Sequence, residues 1–220
     1  SNNLDEFYRV RVATLNRIIE YEDKTIKTER ETAIQTVASS LEPDSVIVST
    51  TGMISRELFE YREAEGEGHE CDFLTVGSMG HSSSIALGIA LANSERRVFC
   101  LDGDGAFIMH MGAIGNIGYL SPKNYFHILF NNGSHESVGG QPTIGFQLDI
   151  PAIAKACGYR TVFSLTTKDE IKEILQQTKI MEGPVLIELK VKVASRDDLG
   201  RPTTTPLENK FHFMEFLKNK

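Results

Sequence analysis

The sequence predicts an α/β fold with a doubly wound, mainly parallel sheet and helices on both faces of the sheet. Along the chain, the spacing of apolar residues switches repeatedly between the two-residue period of strands and the 3.6-residue period of helices. The strand-like runs are mostly apolar, as expected where both faces of a parallel sheet are covered. The chain has 220 residues, of which 40% are hydrophobic, and this is enough to enclose one sizeable core.

Six short runs are rich in β-branched and aromatic residues, and turn-forming residues bound them. The predicted strands are residues 45–49, 72–76, 97–101, 125–130, 160–164 and 184–193. Segments of ordinary helix length lie between or beside them. The predicted helices are residues 56–64, 82–92, 108–119, 150–157 and 168–179. Because strands alternate with helices, the pattern indicates βαβ units and a parallel sheet.

Three Thr-x-x-Glu sequences have the spacing of a capping box, in which threonine and glutamate side chains bind backbone N–H groups at the start of a helix. The pairs are Thr28 with Glu31, Thr167 with Glu170, and Thr205 with Glu208. Pro206 follows the last threonine, at the first helical position, where a missing N–H costs nothing. These sequences predict where three helices begin.

The two ends of the chain differ from its middle. We expect residues 1–27 to form a helical arm and linker, residues 28–194 a ligand-binding domain, and residues 195–220 a linker and a final helix. Phe213, Phe216 and Leu217 fall on one face of that final helix. This face predicts docking on the domain or on a partner.

Composition excludes several classes of protein. A net charge of −7 argues against a nucleic-acid-binding protein, because no basic patch is available to neutralise a phosphate backbone. No apolar run approaches the roughly 20 residues of a membrane span, and the polar start is unlike a signal peptide. The three cysteines form no CxxC pair, which argues against zinc or iron–sulfur sites and indicates free thiols. We therefore expect a cytoplasmic protein.

Four turns rich in glycine or asparagine follow directly after predicted strands. They are Thr50-Thr51-Gly52, Gly77-Ser78-Met79-Gly80, Asp102-Gly103-Asp104-Gly105 and Asn131-Asn132-Gly133. In a parallel sheet the carboxyl ends of the strands meet at one edge, where open α/β sheets bind ligands. The sequence therefore predicts that these four turns converge on one binding site.

Asp104 and Asn132 are the candidate metal ligands at this edge. They are 28 residues apart, the length of one helix and one returning strand, so a single crossover can bring them together. Strands lie about 5 Å apart, which allows two oxygens to share one ion, and carboxylate and amide oxygens suit Mg²⁺ or Ca²⁺. Gly103 and Gly105 permit close approach of an anion, and a helix starting near Ala106 adds a positive dipole end. A bridging cation would let an acidic chain hold a diphosphate.

Gly103-Asp104-Gly105, followed by a helix, a strand and Asn131-Asn132, resembles the thiamine diphosphate signature of the decarboxylase and acetolactate synthase superfamily. In that family the aspartate, the second asparagine and the carbonyl two residues beyond it bind Mg²⁺. The resemblance therefore implies Mg²⁺ as the ion, with the carbonyl of Ser134 as a third ligand.

Two further turns resemble the same family. Gly77-Ser78-Met79-Gly80 is similar to a turn whose bulky residue holds the cofactor in a bent shape, and Met79 takes that position. Thr51-Gly52 is similar to a turn that lies against the cofactor. The resemblance covers about residues 30–190. It implies the thiamine diphosphate-binding fold and a role as the pyrophosphate-binding domain.

Segments 77–81, 131–143 and 200–210 look like those of phosphonopyruvate decarboxylases, with sulfopyruvate decarboxylases as near neighbours. This closer resemblance implies a lyase that converts phosphonopyruvate to phosphonoacetaldehyde and CO₂ in phosphonate biosynthesis. Plain pyruvate stays open as a substrate. The reactive chemistry would belong to the cofactor, while the protein anchors it and excludes water.

His135 and Glu136 lie in the loop after the second asparagine. They are candidate catalytic proton donors, and solvated loop residues are the alternative. Glycines at 139 and 140 suggest that this loop is mobile. Arg196 and Arg201 are candidates for contacting a phosphonate, although a polar linker explains them equally well.

The family resemblance also implies a missing part. Thiamine diphosphate enzymes of this kind need a glutamate from a separate pyrimidine-binding domain, and only about 30 polar residues precede the central domain here. We therefore expect a truncated chain or a β-type subunit with a partner, in a homo- or hetero-oligomer, that is inactive alone.

Three rival functions would each need different features in the sequence. A β subunit of a 2-oxoacid:ferredoxin oxidoreductase is disfavoured because cysteine clusters are absent. A Mg²⁺ phosphohydrolase would need several converging acidic ligands, and only Asp104 is well placed. A non-catalytic module that binds Mg²⁺ and a diphosphate stays open.

Overall fold

The computed structural model describes residues 26–218, and these contain eight strands. In chain order they are β1 (Val46–Ser49), β2 (Asp72–Leu74), β3 (Val98–Gly103), β4 (Tyr125–Asn131), β5 (Ser134–His135), β6 (Gln141–Pro142), β7 (Thr161–Leu165) and β8 (Val185–Lys190). Six of them form one sheet in the order β2-β1-β3-β4-β8-β7. Every pair in this sheet is parallel, which confirms the predicted fold class.

Eight helices accompany the strands in the described part of the chain. They are α1 (Arg30–Ala38), α2 (Met53–Glu65), α3 (Ser82–Ala92), α4 (Asp104–Met109), α5 (Ala113–Leu120), α6 (Ile150–Ala156), α7 (Lys168–Thr178) and α8 (Pro206–Lys218). The predicted helix within residues 1–27 lies almost entirely outside the described residues.

Alternate residues of the strands supply two separate cores. In β4, Phe126 and Ile128 belong to a cluster with buried residues of α1, α2 and α7. Tyr125 and Leu129 belong to a cluster with residues of α3, α4, α5, α6 and α8. Because successive side chains of a strand point to opposite faces, this division places helices on both faces of the sheet.

Two local predictions were wrong. The predicted helix over residues 108–119 is interrupted between Met109 and Ala113, so it forms α4 and α5, and Gly112 at the interruption has a low helix propensity. Thr28 does not cap a helix. Its hydroxyl donates to the Thr166 carbonyl at 3.0 Å, and α1 begins after Glu29 instead. A bond to a segment 138 residues away has replaced the local cap.

The other two capping boxes are confirmed. The Thr167 hydroxyl accepts from the Glu170 backbone N–H, and the Glu170 carboxylate accepts from the Thr167 N–H at 2.9 Å. Thr205 and Glu208 make the same reciprocal pair at the start of α8. Both helices begin where their sequences predict.

Helix α8 docks on the domain through the predicted apolar face. Phe213 is buried in the second core, and Phe216 and Leu217 pack against that core. The Asn209 carboxamide accepts from the Leu74 N–H at 3.1 Å and donates to the Asp72 carbonyl at 2.9 Å. Both partners are backbone groups of the edge strand β2, so Asn209 joins α8 to the sheet.

We predict that Asn209→Ala lowers the free energy of unfolding by about 1–3 kcal/mol, because it leaves two buried backbone groups of β2 unsatisfied. Urea denaturation measures the change. Phe211→Ala, on the exposed side of the same helix, is the control and should change stability by less than about 0.5 kcal/mol. Equal effects of the two substitutions would contradict the role of Asn209.

Two further findings concern membrane spans and cysteines in the described residues. No helix within residues 26–218 is long and apolar enough to cross a membrane. Cys71, Cys100 and Cys157 are all free thiols, with Cys100 fully buried and the other two partly exposed. Burial raises the pKa of Cys71 to about 12, so this thiol is largely protonated at neutral pH.

Candidate functional site

A small cavity of about 50 Å³ lies at the carboxyl edge of the sheet, where β1, β3 and β4 end. Most of the residues singled out from the sequence line it. They are Thr51, Met79, Gly103, Asp104, Gly105, Ala106, Asn132, Ser134, His135 and Glu136. Residues from the turns after four separate strands therefore meet at one point.

Strand register brings Asp104 and Asn132 together. Gly103, the last residue of β3, lies opposite Phe130 of β4, and α4 begins directly at Asp104. β4 ends one residue later, at Asn131, and Asn132 follows at the cavity wall. Adjacent parallel strands that end in register thus place the carboxylate and the carboxamide beside one another.

The two asparagines have different roles in the structure. The Asn131 carboxamide is completely buried, and it donates to the Gly145 carbonyl at 3.0 Å and to Glu188 Oε1 at 2.8 Å. The other Glu188 oxygen accepts from the Ser164 hydroxyl at 2.6 Å. Asn131 therefore ties the end of β4 to β8 and β7, while Asn132 faces the cavity.

Asp104 is 2% exposed, yet the structure shows no cationic side chain bound to it among the described residues. Its side-chain partner is the Thr143 hydroxyl, which donates to Oδ2. Burial raises the pKa of Asp104 to about 6, although hydrogen bonds from Thr143 and from the backbone of Asn132 and Gly105 oppose the shift. A nearby cation would stabilise the ionised form of a carboxyl group in this position.

Hydrogen bonds hold both ends of the Asn132 carboxamide. Its Nδ2 donates to Glu136 Oε2 at 2.6 Å, and its Oδ1 accepts from the Ser134 N–H at 3.0 Å. An amide oxygen has two lone pairs, so Oδ1 retains one for another partner. Glu136 therefore decides which way this carboxamide points.

Glu136 belongs to a buried ion network that begins at the start of α1. Arg30 makes a bidentate pair with Glu57 of α2, at 2.8 and 2.7 Å, and a further ion pair with Glu136. Burial raises the pKa of Glu57 above its usual range, even though the Arg30 guanidinium opposes the shift. Two carboxylates thus share one arginine beside the cavity.

Two glycines are required by close approach. A Cβ at Gly105 would overlap the His135 imidazole, so the absence of a side chain lets His135 lie against the start of α4. A Cβ at Gly145 would come within 2.6 Å of Asp104 Oδ2 and 2.5 Å of Asn131 Oδ1. Both positions therefore disfavour alanine.

The loop after Asn132 forms a β-hairpin. β5 and β6 pair antiparallel, with Ser134 opposite Pro142 and His135 opposite Gln141. Gly139 and Gly140 adopt positive φ values of 112° and 73°, which few other residues tolerate. The hairpin brings Thr143 back to Asp104.

A second, larger cavity of about 540 Å³ adjoins the first. Thr51, Met79 and Ser137 line both. The remaining predicted residues, Gly52, Gly77 and Ser78, line only the larger one. Its other walls are mostly apolar, and the Gly77 N–H donates to the Thr51 hydroxyl at 3.2 Å, which joins the two turns.

Sequence patterns did not single out Arg30, Glu57, Thr143, Gly145 or Glu188. Thr143 ends the segment 131–143 that resembles phosphonopyruvate decarboxylases, but the resemblance assigns it no role, and the other four lie in no recognisable motif. Each reaches the site through a partner at least 14 residues away in the chain. Proximity in the fold, rather than local sequence, identifies them.

His127 in β4 is fully buried beside the turn that carries Asp104. Its ring nitrogens lie 3.2 Å from Asp102 Oδ2 and 3.0 Å from the Tyr159 hydroxyl. The other Asp102 oxygen accepts from the Gly103 N–H at 3.0 Å. This network supports the turn that carries Asp104.

Comparison with protein families finds one match over residues 50–189, to the thiamine pyrophosphate enzyme C-terminal TPP-binding domain. This range contains all the predicted cofactor-binding, metal-binding and catalytic residues, while Arg196 and Arg201 lie beyond it. A solved structure from Mycobacterium smegmatis, provisionally described as a thiamin diphosphate-dependent enzyme, has a TM-score of 0.63 at 23% identity. The match covers 77% of this chain and 33% of the chain of that structure. At this identity the match shows a similar fold.

Curated relatives are more similar in sequence. Phosphonopyruvate decarboxylase of Streptomyces viridochromogenes is 37% identical over 86% of this chain and 46% of its own length. Sulfopyruvate decarboxylase subunit beta of Methanocaldococcus jannaschii is 31% identical over 84% of this chain and 95% of its own length. The chain thus spans about half the length of the first relative and nearly all of the second.

Proposed function

This chain belongs to the thiamine pyrophosphate enzyme family, as a C-terminal TPP-binding domain, and we propose that it holds thiamine diphosphate through a Mg²⁺ ion bound by Asp104, Asn132 and the Ser134 carbonyl. The observation that carries this proposal is the buried Asp104 carboxylate beside the Asn132 carboxamide at the end of two adjacent strands. The enzyme would be a decarboxylase of a 2-oxo acid.

The residues present fit the proposed ion and diphosphate. Asp104 is buried without a cationic partner in the described part of the chain, and Asn132 Oδ1 has a free lone pair. Carboxylate, amide and carbonyl oxygens are the ligands that Mg²⁺ takes in proteins. Gly105 and Ala106, in the first turn of α4, lie at the cavity wall, where free N–H groups of a helix start favour phosphate oxygens.

The larger cavity suits the ring portion of the cofactor. Thr51, Gly52, Gly77, Ser78 and Met79 line it, and mostly apolar walls suit rings better than a diphosphate. When bound, thiamine diphosphate supplies the carbon nucleophile and electron sink for removing CO₂ from a 2-oxo acid.

His135 is the better placed of the two candidate catalytic residues. Its partly buried imidazole lines the small cavity and has no side-chain hydrogen bond within the described residues, so it is free to carry a proton. Glu136 accepts from both Arg30 and Asn132. We therefore assign the proton-donor role to His135 and an orienting role to Glu136.

The relatives support the proposed substrate and partner. Phosphonopyruvate is the proposed substrate, since the relative with 37% identity is a phosphonopyruvate decarboxylase. A sulfopyruvate decarboxylase β-type subunit is the second candidate, because the chain covers 95% of such a subunit. In both cases we propose a pyrimidine-binding domain or subunit as partner, within an oligomer working in the cytoplasm.

Calorimetry with thiamine diphosphate tests the proposed function. Binding should require Mg²⁺, disappear with EDTA, and weaken strongly for thiamine, which lacks the diphosphate. The partner domain should raise the affinity, and the assembled enzyme should release CO₂ from phosphonopyruvate faster than from pyruvate. The proposal fails if no Mg²⁺-dependent binding occurs, with or without the partner.

We predict that Glu136→Ala weakens Mg²⁺-dependent cofactor binding by about 10–100-fold, because the Asn132 Nδ2 loses its acceptor and the carboxamide is free to rotate. Glu136→Gln keeps an acceptor oxygen, so its loss of cofactor affinity should be smaller. Titration of Mg²⁺ at fixed thiamine diphosphate measures both. Glu70→Ala, an exposed glutamate, is the control for charge, and wild-type affinity in Glu136→Ala would contradict the orienting role.

A further inference from the structure

Two arginines line the larger cavity without an anionic partner. Arg56 lies in α2 and Arg201 in the segment before α8, and both belong to the cavity wall. Neither guanidinium group forms an ion pair or a hydrogen bond within residues 26–218. No acidic side chain lines this cavity. In a chain of net charge −7, the result is a locally positive chamber.

Other arginines of the described chain behave differently. Arg30, Arg62, Arg160 and Arg196 each pair with at least one carboxylate. An arginine beside a cavity with no carboxylate to neutralise it is available for a bound anion. The cavity wall therefore carries two positive charges that form no ion pair within the described residues.

The segment that carries Arg201 is anchored at both ends. Upstream, Arg196 pairs with Glu31 at 3.0 Å and with Glu60, and the Gly200 N–H donates to Glu60 Oε1 at 2.6 Å. Downstream, the capping box at Thr205 and the contacts of Asn209 hold α8 to the sheet. Arg201 thus lies at the cavity wall in a segment that is anchored on both sides.

The same contacts distinguish the roles of the two linker arginines, which the sequence did not distinguish. Arg196 has three carboxylate partners and serves as an anchor. Arg201 has none and faces the cavity. Arg56, which the sequence did not indicate, joins it from α2.

We propose that Arg56 and Arg201 form an anion subsite for the second acidic group of the substrate, a phosphonate or sulfonate carried by a 2-oxo acid. This inference rests on the proposed function, because the cavity adjoins the cofactor site through Thr51, Met79 and Ser137. Each guanidinium offers up to five N–H donors to tetrahedral oxyanions. Pyruvate has no such group, so the pair would select against it.

Binding of methylphosphonate and of methanesulfonate to the full chain, followed by NMR of the arginine Nε–H groups, tests the subsite. Arg201→Gln and Arg56→Gln should each weaken binding at least tenfold, and the double variant should show none. The tighter of the two probes identifies which acid the subsite prefers. Arg160→Gln makes the same charge change at the opposite edge of the sheet and should bind as the wild type.

Two outcomes would overturn the subsite: unchanged binding in Arg56→Gln and Arg201→Gln, or an equal loss in Arg160→Gln. Calorimetry of Mg²⁺ and thiamine diphosphate on the same variants separates this failure from that of the proposed function. Cofactor binding should still require Mg²⁺ and the diphosphate in all of them, because the proposed ligands Asp104 and Asn132 are unchanged. A wild type that binds methylphosphonate through Arg201 but never binds the cofactor would refute the proposed function and the substrate assignment, while the anion site would stand.

Discussion

Asp104→Asn should abolish Mg²⁺-dependent binding of thiamine diphosphate, with a loss of at least about 100-fold in affinity. The substitution keeps the shape and the acceptor for the Thr143 hydroxyl, but it removes the negative charge that holds the cation. Calorimetry at saturating Mg²⁺ measures the loss. Asp169→Asn, at an exposed position in α7, has the same charge change and should bind normally.

The stability of Asp104→Asn distinguishes lost binding from misfolding. Burial raises the pKa of Asp104 to about 6 in the folded protein, above the value near 3.9 of an unfolded chain. The ionised carboxylate therefore costs stability as pH rises above about 4, and the full cost is present above pH 6. Without Mg²⁺ at pH 8, the asparagine variant should melt at the same temperature as the wild type or higher. A large drop in melting temperature would contradict this account.

Arg30→Met should lower the free energy of unfolding at pH 8 by about 3–5 kcal/mol, because it leaves the buried carboxylates of Glu57 and Glu136 without their shared counter-ion. Urea denaturation measures the change. Lys123→Met, which removes an exposed partner of Glu182, should cost less than about 1 kcal/mol.

The pH dependence of Arg30→Met follows from the pKa of Glu57. Burial already raises this pKa, and Arg30 opposes the shift, so loss of Arg30 raises the pKa further. A carboxyl with a raised folded-state pKa is destabilising above its pKa and less so when protonated. The deficit should therefore be smaller at pH 5 than at pH 8. The double variant Arg30→Met/Glu57→Leu should recover part of the lost free energy of unfolding. A loss that stays the same at pH 5 and in the double variant would refute the network.

Much of the fold and of the candidate site could be predicted from local patterns. The period of apolar residues located all six strands of the sheet to within a few residues, except that the last was predicted longer than β8. The capping boxes at Thr167 and Thr205 placed two helix starts. Since parallel strands end at one edge, the turns after them had to converge, and Asp104 and Asn132 meet there.

The features that local patterns did not predict depend on contacts between segments that are distant in the chain. Thr28 has the spacing of a cap, yet its hydroxyl binds Thr166. Glu136 follows the second asparagine, yet its partner Arg30 lies 106 residues earlier. Arg196 and Arg201 are equivalent in sequence terms, and only their surroundings show that one is neutralised and the other faces a cavity.

The sequence by itself thus determined the parallel sheet, the edge that carries the site, and the carboxylate and carboxamide placed there. The strand and helix periods and the caps depend on residues a few positions apart, and Asp104 meets Asn132 because the parallel strands before them end at one edge of the sheet. Only the tertiary structure decided which charges are neutralised and how the Asn132 carboxamide is oriented. Those properties depend on burial and on partners such as Arg30, Glu57 and Thr143, which folding alone brings within hydrogen-bond distance.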